Sequence, residues 1–434
     1  MTIGPKLYSI YGNLCLGNGF RDGGEVLTIG EASSELGVSI DTLRRWEKKG
    51  ILRSQRNRAG QREFIPEEVA LLKEKHSGTA TINRYKVLTA GSSEYAAIDL
   101  FAGGGGTALG LENAGFRHLA VNEFDKWAAQ TLRDNRPEWN VIEGDVHEQT
   151  FEQYRDQVDL VEGGFPCQAF SYAGRKRGFA DTRGTLFHEF ARVVEETNPK
   201  IAVGENVRGL LTHDEGRTLR TMVTKLQQLG YRVGHKVLRG QYLDVPQKRE
   251  RLIIIAVRND IEAPILFPKE RNYTLSLREA IGDRPESVGA VYADWKKRVM
   301  EKVPEGGYWK DLSDDVQRSY MKASYFLGGG KTGMARRLHW DEPSLTLTCN
   351  PAQKQTERCH PAETRPLNVR EYARIQTFPD TWNFAGGVTQ QYKQIGNAVP
   401  VNMGYHIGMA VRAMLSGNDR ENFVEVESLA RISD

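Results

Sequence analysis

A short apolar run, Ala96-Ala97-Ile98-Asp99-Leu100-Phe101, opens directly into Ala102-Gly103-Gly104-Gly105-Gly106. Thr107 to Ala114 then reads as a helix that stops at Gly115. Strand, glycine turn and helix in this order form the entry to a doubly wound α/β sheet of the Rossmann-like, nucleotide-binding kind. A second strand, His118 to Asn122, ends in Glu123. That carboxylate lies twenty residues after Gly103, where such sheets hold ribose hydroxyls. Gly144-Asp145-Val146 offers a further carboxylate beside a strand end. No Gly-Lys-Ser/Thr closes the loop, which argues against a phosphate-cradling P-loop. Phe101 and Phe124 flank these turns, either as ligand contacts or as ordinary core aromatics.

A second feature carries chemistry. Gly163-Gly164-Phe165-Pro166-Cys167-Gln168-Ala169-Phe170-Ser171 follows the strand-like run Val158 to Val161. Proline fixes its own φ and biases Phe165 to an extended form. The glycines let another molecule approach the backbone. Cys167 is therefore posed for nucleophilic attack, against the commoner fate of a free thiol as a small buried apolar group. Glu205 follows the strand Ile201-Ala202-Val203-Gly204 and reads as a site acid or as a helix-capping or ion-pairing residue. Arg249 and Arg251 alternate at the head of the apolar strand Leu252 to Val257, so both face one side. They are site cations or partners of Glu250 or another acid.

Composition bounds the partners. The chain has 434 residues and a formal charge of +3, room for two or three domains and only local basic patches for nucleic acid. Cys15, Cys167, Cys349 and Cys359 are scattered without metal-ligand spacing. This predicts neither a disulfide framework nor a metal site, and points to a reducing, cytoplasmic setting. No apolar run reaches membrane length, and the start lacks the apolar stretch of a secretion signal.

The first part reads as a separate helical unit. Leu27 to Ser39 gives helix, tight turn and helix start, with Ser39 as N-cap for Ile40 to Lys49. Ile51 to Phe64, with Arg53, Arg56, Arg58 and Arg62 around Gly60, reads as a hairpin or wing. Trp46-Glu47-Lys48-Lys49-Gly50-Ile51-Leu52 in this setting resembles the MerR and excisionase-type winged helix-turn-helix family. The resemblance implies DNA binding through Thr42, Arg44, Arg45 and Arg62, with a small protein-interaction domain as the alternative.

From residue 95 to about 415 the chain closely resembles the bacterial DNA cytosine-5 methyltransferases of restriction-modification systems. The matches are collinear: Asp99 to Gly106, Asn122-Glu123-Phe124-Asp125, Pro166-Cys167-Gln168, Arg183 to Phe187, Glu205-Asn206-Val207, Gln247 to Arg251, Arg365 to Arg374, Phe378-Pro379 and Gln394 to Pro400. Asn368 stands where the family usually has threonine, and both residues cap helices.

This resemblance implies S-adenosylmethionine as methyl donor and double-stranded DNA as substrate. It assigns catalysis to Cys167, Glu205, Arg249 and Arg251. It assigns cofactor contacts to Phe101, Gly103, Gly105, Gly106, Glu123, Phe124, Asp145, Val146, Pro166, Leu186, Asn397 and Val399. The target base must leave the duplex to react, and Ser171 to Phe179, glycine-hinged and basic, is expected to be a lid or a plain solvated loop.

The expected organisation is a tail over 1–25, the helix-turn-helix over 26–76 and a linker over 77–93. The catalytic domain follows over 94–263, then a small mixed target recognition domain over 264–363. A return segment over 364–415 completes the catalytic domain, and 416–434 is a tail. Leu345-Thr346-Leu347-Thr348 is the best strand candidate in the recognition region, whose Arg336, Arg337, Thr346 and Lys354 are DNA contacts or merely solvated. A cognate restriction endonuclease is expected in the same system, and the operon's promoter DNA is a candidate ligand of the first domain. An RNA cytosine methyltransferase of the same fold, or a regulator with an idle catalytic domain, remains as the rival reading.

Overall fold

The computed structural model describes residues 26–48, 51, 52, 54–57, 60–66, 68–70, 72, 83–165, 186–418 and 420–430. Two units divide at Asn83/Arg84. Pro166, Cys167, the 171–179 segment and Arg183 to Thr185 lie outside the described residues, as do Cys15, Lys49, Arg53 and Arg58.

In the first unit, helices Ile29–Leu36 and Ile40–Lys48 flank a turn at Gly37, whose φ of +63° suits glycine. Thr28 and Glu31 form a capping box at the first helix, with the Glu31 N–H donating to Thr28 Oγ1 at 3.3 Å and the Thr28 N–H to Glu31 Oε2 at 2.7 Å. Strands β1 (Leu27–Thr28), β2 (Gln55–Arg56) and β3 (Arg62–Phe64) form an antiparallel sheet in the order β1-β3-β2. The β2–β3 hairpin is the wing expected between Ile51 and Phe64. Ala32, Leu36, Leu43, Leu52, Phe64, Val69 and Leu72 make a core of their own.

The second unit is built on a seven-stranded sheet. Its strands are β4 (Ala96–Leu100), β5 (Arg117–Glu123), β6 (Val141–Glu143), β7 (Leu160–Gly163), β8 (Ile201–Val207), β9 (Tyr231–Arg239) and, after the short β10 (Gln247–Lys248), β11 (Glu250–Arg258). Their order is β6-β5-β4-β7-β8-β11-β9. Neighbours from β6 to β8 are parallel, and β11 runs antiparallel between β8 and β9. Both faces are covered, which is why the central strands read as apolar runs rather than as alternation. Phe187, Phe190, Val194, Met222 and Val223 pack over Ile98, Val161, Ala202 and Ile254. On the other face Leu111, Met403, Ile407 and Val411 cover Ala97, Leu160, Ile201, Val203 and Ile253. There the helices Gly106–Asn113 and Val401–Ser416 touch at backbone distance, since a β-carbon on Gly110 would stand 2.7 Å from the Gly404 Cα.

Three expectations change. Leu345 to Thr348 is no extended strand. Only Ser344–Leu345 pairs, as β13, with β10, because side chains take the next backbone groups: the Leu347 N–H donates to Gln247 Oε1 at 2.8 Å. Residues expected in the closing tail form β14 (Phe423–Val426), which pairs antiparallel with β12 (Ile265–Pro268). Arg337, considered for DNA, is buried and donates to the carbonyls of Val303, His360 and Met300. A separate core, including Tyr292, Met300, Trp309, Tyr320, Met334 and Cys359, holds this region together.

Candidate functional site

The site lies at the carboxyl ends of the parallel strands, the crevice that open α/β sheets reserve for ligands. After β4, Phe101 adopts φ +59°, and Gly103 and Gly105 take φ +56° and +89°. Gly106 needs no special dihedral but must be small, because a β-carbon there would lie 2.0 Å from the Val399 carbonyl oxygen. Glu123, at the end of β5, ties the turn together. Its Oε2 accepts the Gly103 N–H and its Oε1 the Asp125 N–H, each at 2.7 Å. Burial raises this carboxyl's proton affinity, and the two backbone donors work against it. Next to it the Phe124 ring is 73% exposed, which excludes the core alternative for that residue. Phe101 packs partly against the core instead.

Asp145 caps the turn after β6. It accepts the His147 N–H at 3.0 Å and lies 2.7 Å from the His147 ring nitrogen Nδ1, and these bonds hold its carboxyl below the usual range. Val146 is buried in the core and Leu186 packs partly against it. Val399 is buried, whereas Asn397 is exposed at the end of the helix Val388–Asn397.

The second half of the site gathers where β7 leaves the sheet. Glu205 Oε1 lies 2.6 Å from Arg251 Nε, both side chains being largely buried but still reached by solvent. A β-carbon on Gly164 would come within 3.5 Å of Glu205 Oε2, so the acid lies against the chain that enters Pro166-Cys167. Asn206 secures that chain by donating Nδ2 to the Phe165 carbonyl at 2.9 Å. The ion-pairing alternative for Glu205 thus holds, and its partner is Arg251, itself a candidate site residue. Arg249 points away from solvent. It is 1% exposed and donates to the Leu347 and Asn397 carbonyls, both at 3.3 Å. Burial, with Arg251 nearby, lowers its affinity for a proton.

Four residues here were given no role of their own by the sequence. Cys349 donates its thiol to Asn397 Oδ1 at 3.0 Å. Gln247 links the return segment, its Nε2 donating to Gln376 Oε1 at 2.7 Å. Asp99 and Glu162 are buried carboxyls within β4 and β7. Those two carried a signal, since each is an acid inside an otherwise apolar strand.

In the first unit, Thr42 is part-buried, with Arg44 and Arg45 exposed on the second helix. Arg44 pairs with Asp41 at 3.1 Å. Arg62 Nε lies 2.7 Å from Glu47 Oε2, and Ser54 also donates to Glu47, so these contacts fix the wing to the helix. In the recognition region, Arg336 and Lys354 lie over the Tyr308 and Tyr320 rings at 4.9 and 5.0 Å, and Thr346 donates to the Lys248 carbonyl.

Residues 95–413 match the family model for C-5 cytosine-specific DNA methylases, and residues 28–64 that of MerR family regulatory proteins. The type II methyltransferase M.Eco47II of Escherichia coli is 53% identical over 90% of this chain and 96% of its own length. M.Sau96I of Staphylococcus aureus is 50% identical over 74% and 76% of the two chains. A crystal structure of a mutant Spodoptera frugiperda DNMT2 superposes with a TM-score of 0.55 at 17% identity, covering 74% of this chain and all of that one, a likeness of fold. The chain therefore belongs to the C-5 cytosine-specific DNA methylases, as a DNA (cytosine-5-)-methyltransferase of the type II kind that carries a MerR-family segment ahead of its catalytic unit.

Proposed function

We propose that the chain is the modification enzyme of a restriction-modification system and methylates carbon 5 of a cytosine turned out of duplex DNA, with Cys167 as nucleophile. The Glu205–Arg251 pair lying against Gly164 is the observation that supports this reading. Cytosine carbon 5 is a weak nucleophile while the ring is aromatic. Addition of the Cys167 thiolate at carbon 6 breaks the aromaticity and loads carbon 5 with electron density, dividing one hard step into easier ones. Glu205 meets ring nitrogen 3 and supplies the proton that offsets the growing charge. Arg251 orients Glu205 and lies by the exocyclic oxygen. Arg249, locked by two carbonyls, braces the Leu347 and Asn397 turns beside the site. After methyl transfer a base removes the carbon 5 proton, and the Cys167 sulfur leaves as the ring regains its double bond.

The family uses S-adenosylmethionine, which when bound supplies an electrophilic methyl group. The residues present suit it. Phe124 offers an exposed ring for stacking, Glu123 keeps free lone pairs for ribose hydroxyls, and Gly103 and Gly105 bring bare backbone to the turn. Asp145, Val146, Pro166, Leu186, Asn397 and Val399 complete the proposed pocket. Gly106 acts there through packing on Val399.

Residues 264–363 read the DNA sequence, and the winged unit binds promoter DNA through Thr42, Arg44, Arg45 and the wing that Arg62 anchors. A target duplex carrying 5-fluorocytosine tests the chemistry: it is expected to trap a covalent, cofactor-dependent adduct on Cys167. Methylation by Cys167→Ala at the parent rate would overturn the mechanism.

A further inference from the structure

Phe326 and Leu327 are adjacent, large and apolar, yet 78% and 65% exposed. They end the short helical turn Lys322–Phe326 and lead into Gly328-Gly329-Gly330. A scattered apolar side chain in water is ordinary, but two together at a tip mark a contact surface. The glycines point the same way. Gly329 takes φ +93°, which favours glycine. Gly328 and Gly330 have no such need. A β-carbon on Gly328 would meet nothing within 4 Å, and one on Gly330 only the Thr332 methyl at 3.5 Å. Packing within the chain does not ask for bare backbone at these two positions, whereas a ligand approaching closely would.

The tip is firmly supported. Lys331, at φ +47°, donates Nζ to the carbonyls of Tyr325, at 3.3 Å, and of Leu327. The Tyr325 ring meets the Phe326 ring edge-on at 5.2 Å and the Trp309 ring at 6.1 Å. The Arg318 guanidinium lies 5.1 Å over Tyr325. Trp309 belongs to the core of this region. Two apolar side chains are thus held out in water by a support anchored in that core, which lowers the ordering cost of a later contact.

Charge identifies the occupant. From Arg318 to Arg337 the chain has five basic residues and no acid, against +3 for the whole chain. Arg337 serves carbonyls, while Arg318 and Lys322 are exposed. Burial, and then Lys322 and Lys296, lower the proton affinity of Lys354, so cations crowd this face. Asp314 and Asp315 lie at the other end of the helix Asp314–Met321. An apolar tip among cations suits a polyanion with apolar faces inside it, which is a nucleic-acid duplex. A second copy of the chain would set like charge against like charge.

We propose that Phe326, with Leu327 beside it, is an apolar wedge that enters the target duplex at a base step, while Arg318, Lys322 and Lys354 hold flanking phosphates. The proposal rests on the reading that residues 264–363 meet the DNA, and it adds the residues and the mode of contact. The wedge parts stacked bases instead of pairing with their edges. Sequence choice then depends in part on how easily that step opens.

The test uses the full chain and a short duplex carrying the site that bisulfite sequencing maps in DNA methylated by the parent. Phe326→Ala with Leu327→Ala is expected to bind this duplex about tenfold more weakly in fluorescence anisotropy, with the salt dependence and S-adenosylmethionine affinity of the parent. Lys322→Ala should instead lower the slope of log affinity against log salt by about one. Aminopurine, placed in turn at each step of the site away from the target cytosine, should brighten at one step with the parent and stay quenched there with the double variant. Parent affinity in the double variant, or no step that responds to the tip, would overturn the proposal. So would a parent dimer that the double variant dissolves in light scattering while each chain binds DNA as before, since the occupant would then be a second copy. If the double variant binds like the parent but Lys322→Ala and Lys354→Ala weaken binding, the region still meets DNA and only the wedge fails. If all three bind like the parent, the reading of residues 264–363 fails with it.

Discussion

The Val399 carbonyl oxygen occupies the space into which a β-carbon on Gly106 would project, 2.0 Å away. The glycine turn of the first strand is thereby keyed to a segment almost three hundred residues later in the chain. Gly106→Ala must push the two apart. It is expected to cost about 1–3 kcal/mol of stability, as overpacking does, measured by urea denaturation, and to weaken S-adenosylmethionine binding in calorimetry. Unchanged stability and affinity would mean that the Val399 turn yields freely.

Arg251 and Glu205 should be strongly coupled, because each would otherwise be a largely buried single charge. Arg251→Ala alone is expected to destabilise more than the double variant Arg251→Ala with Glu205→Gln corrected for Glu205→Gln. The coupling in a double-mutant cycle should be on the order of 1–3 kcal/mol. Arg251→Lys keeps the charge but not the planar fork. It should retain more stability than Arg251→Ala while still lowering the methyl-transfer rate.

Two cysteines compete for the role of nucleophile on reactivity alone. Burial pushes the Cys349 thiol up, although Arg249 and Lys393 pull the other way, and its hydrogen goes to Asn397. A thiol held protonated is a poor nucleophile. Cys349→Ser is therefore expected to leave the fluorocytosine adduct intact, and Cys167→Ser to abolish it, as read by mass spectrometry of the trapped complex. The opposite pattern would exchange the two assignments.

The glycine turn, the spaced Glu123 and the strand-end Glu205 were legible because each follows from local order: apolar run, break, acid. The pairing of Glu205 with Arg251 was not legible, because it depends on β11 lying antiparallel beside β8. Gln247 and Asn206 fall inside matched motifs, but their contacts were not legible, since a buried amide that satisfies distant backbone looks like any surface amide in sequence. The same holds for Arg337, whose guanidinium serves carbonyls of an irregular region and the Thr364 hydroxyl. Leu345 to Thr348 misled for a related reason. Its alternation is real, but side chains of Gln247 and Arg249 replace a partner strand.

The junction between units gives a sharp truncation prediction. Residues 84–93, expected to be linker, dock on the catalytic unit. The Tyr85 hydroxyl donates to the Arg374 carbonyl at 2.8 Å, and Leu88 and Lys86 share hydrogen bonds with the Asn402 amide at 2.9 Å. A chain starting at Arg84 should methylate like the full protein yet fail to shift its promoter fragment in a gel. A chain starting at Gly91 loses these bonds and should be less stable by about 1–3 kcal/mol. Equal stability of the two truncations would show that the docked segment contributes nothing.

Asp244 contributes acid-sensitive stability to the second unit. Its carboxylate lies 2.9 Å from His406 Nε2 and also accepts the Tyr273 hydroxyl. Burial alone would raise its proton affinity, but His406, Tyr273 and Arg271 outweigh that and hold it down to about 2. An unfolded aspartate titrates near ~3.9. The folded state therefore binds fewer protons between these values, and the stability from Asp244 is complete above about pH 4 and lost as pH falls toward 2. The difference corresponds to about 2–3 kcal/mol at neutral pH. Asp244→Asn should lower stability by roughly that amount at pH 7 and by much less near pH 2. Urea denaturation of parent and variant across that range gives two curves that converge at low pH. A constant gap between them would place the contribution of Asp244 in packing rather than in its charge.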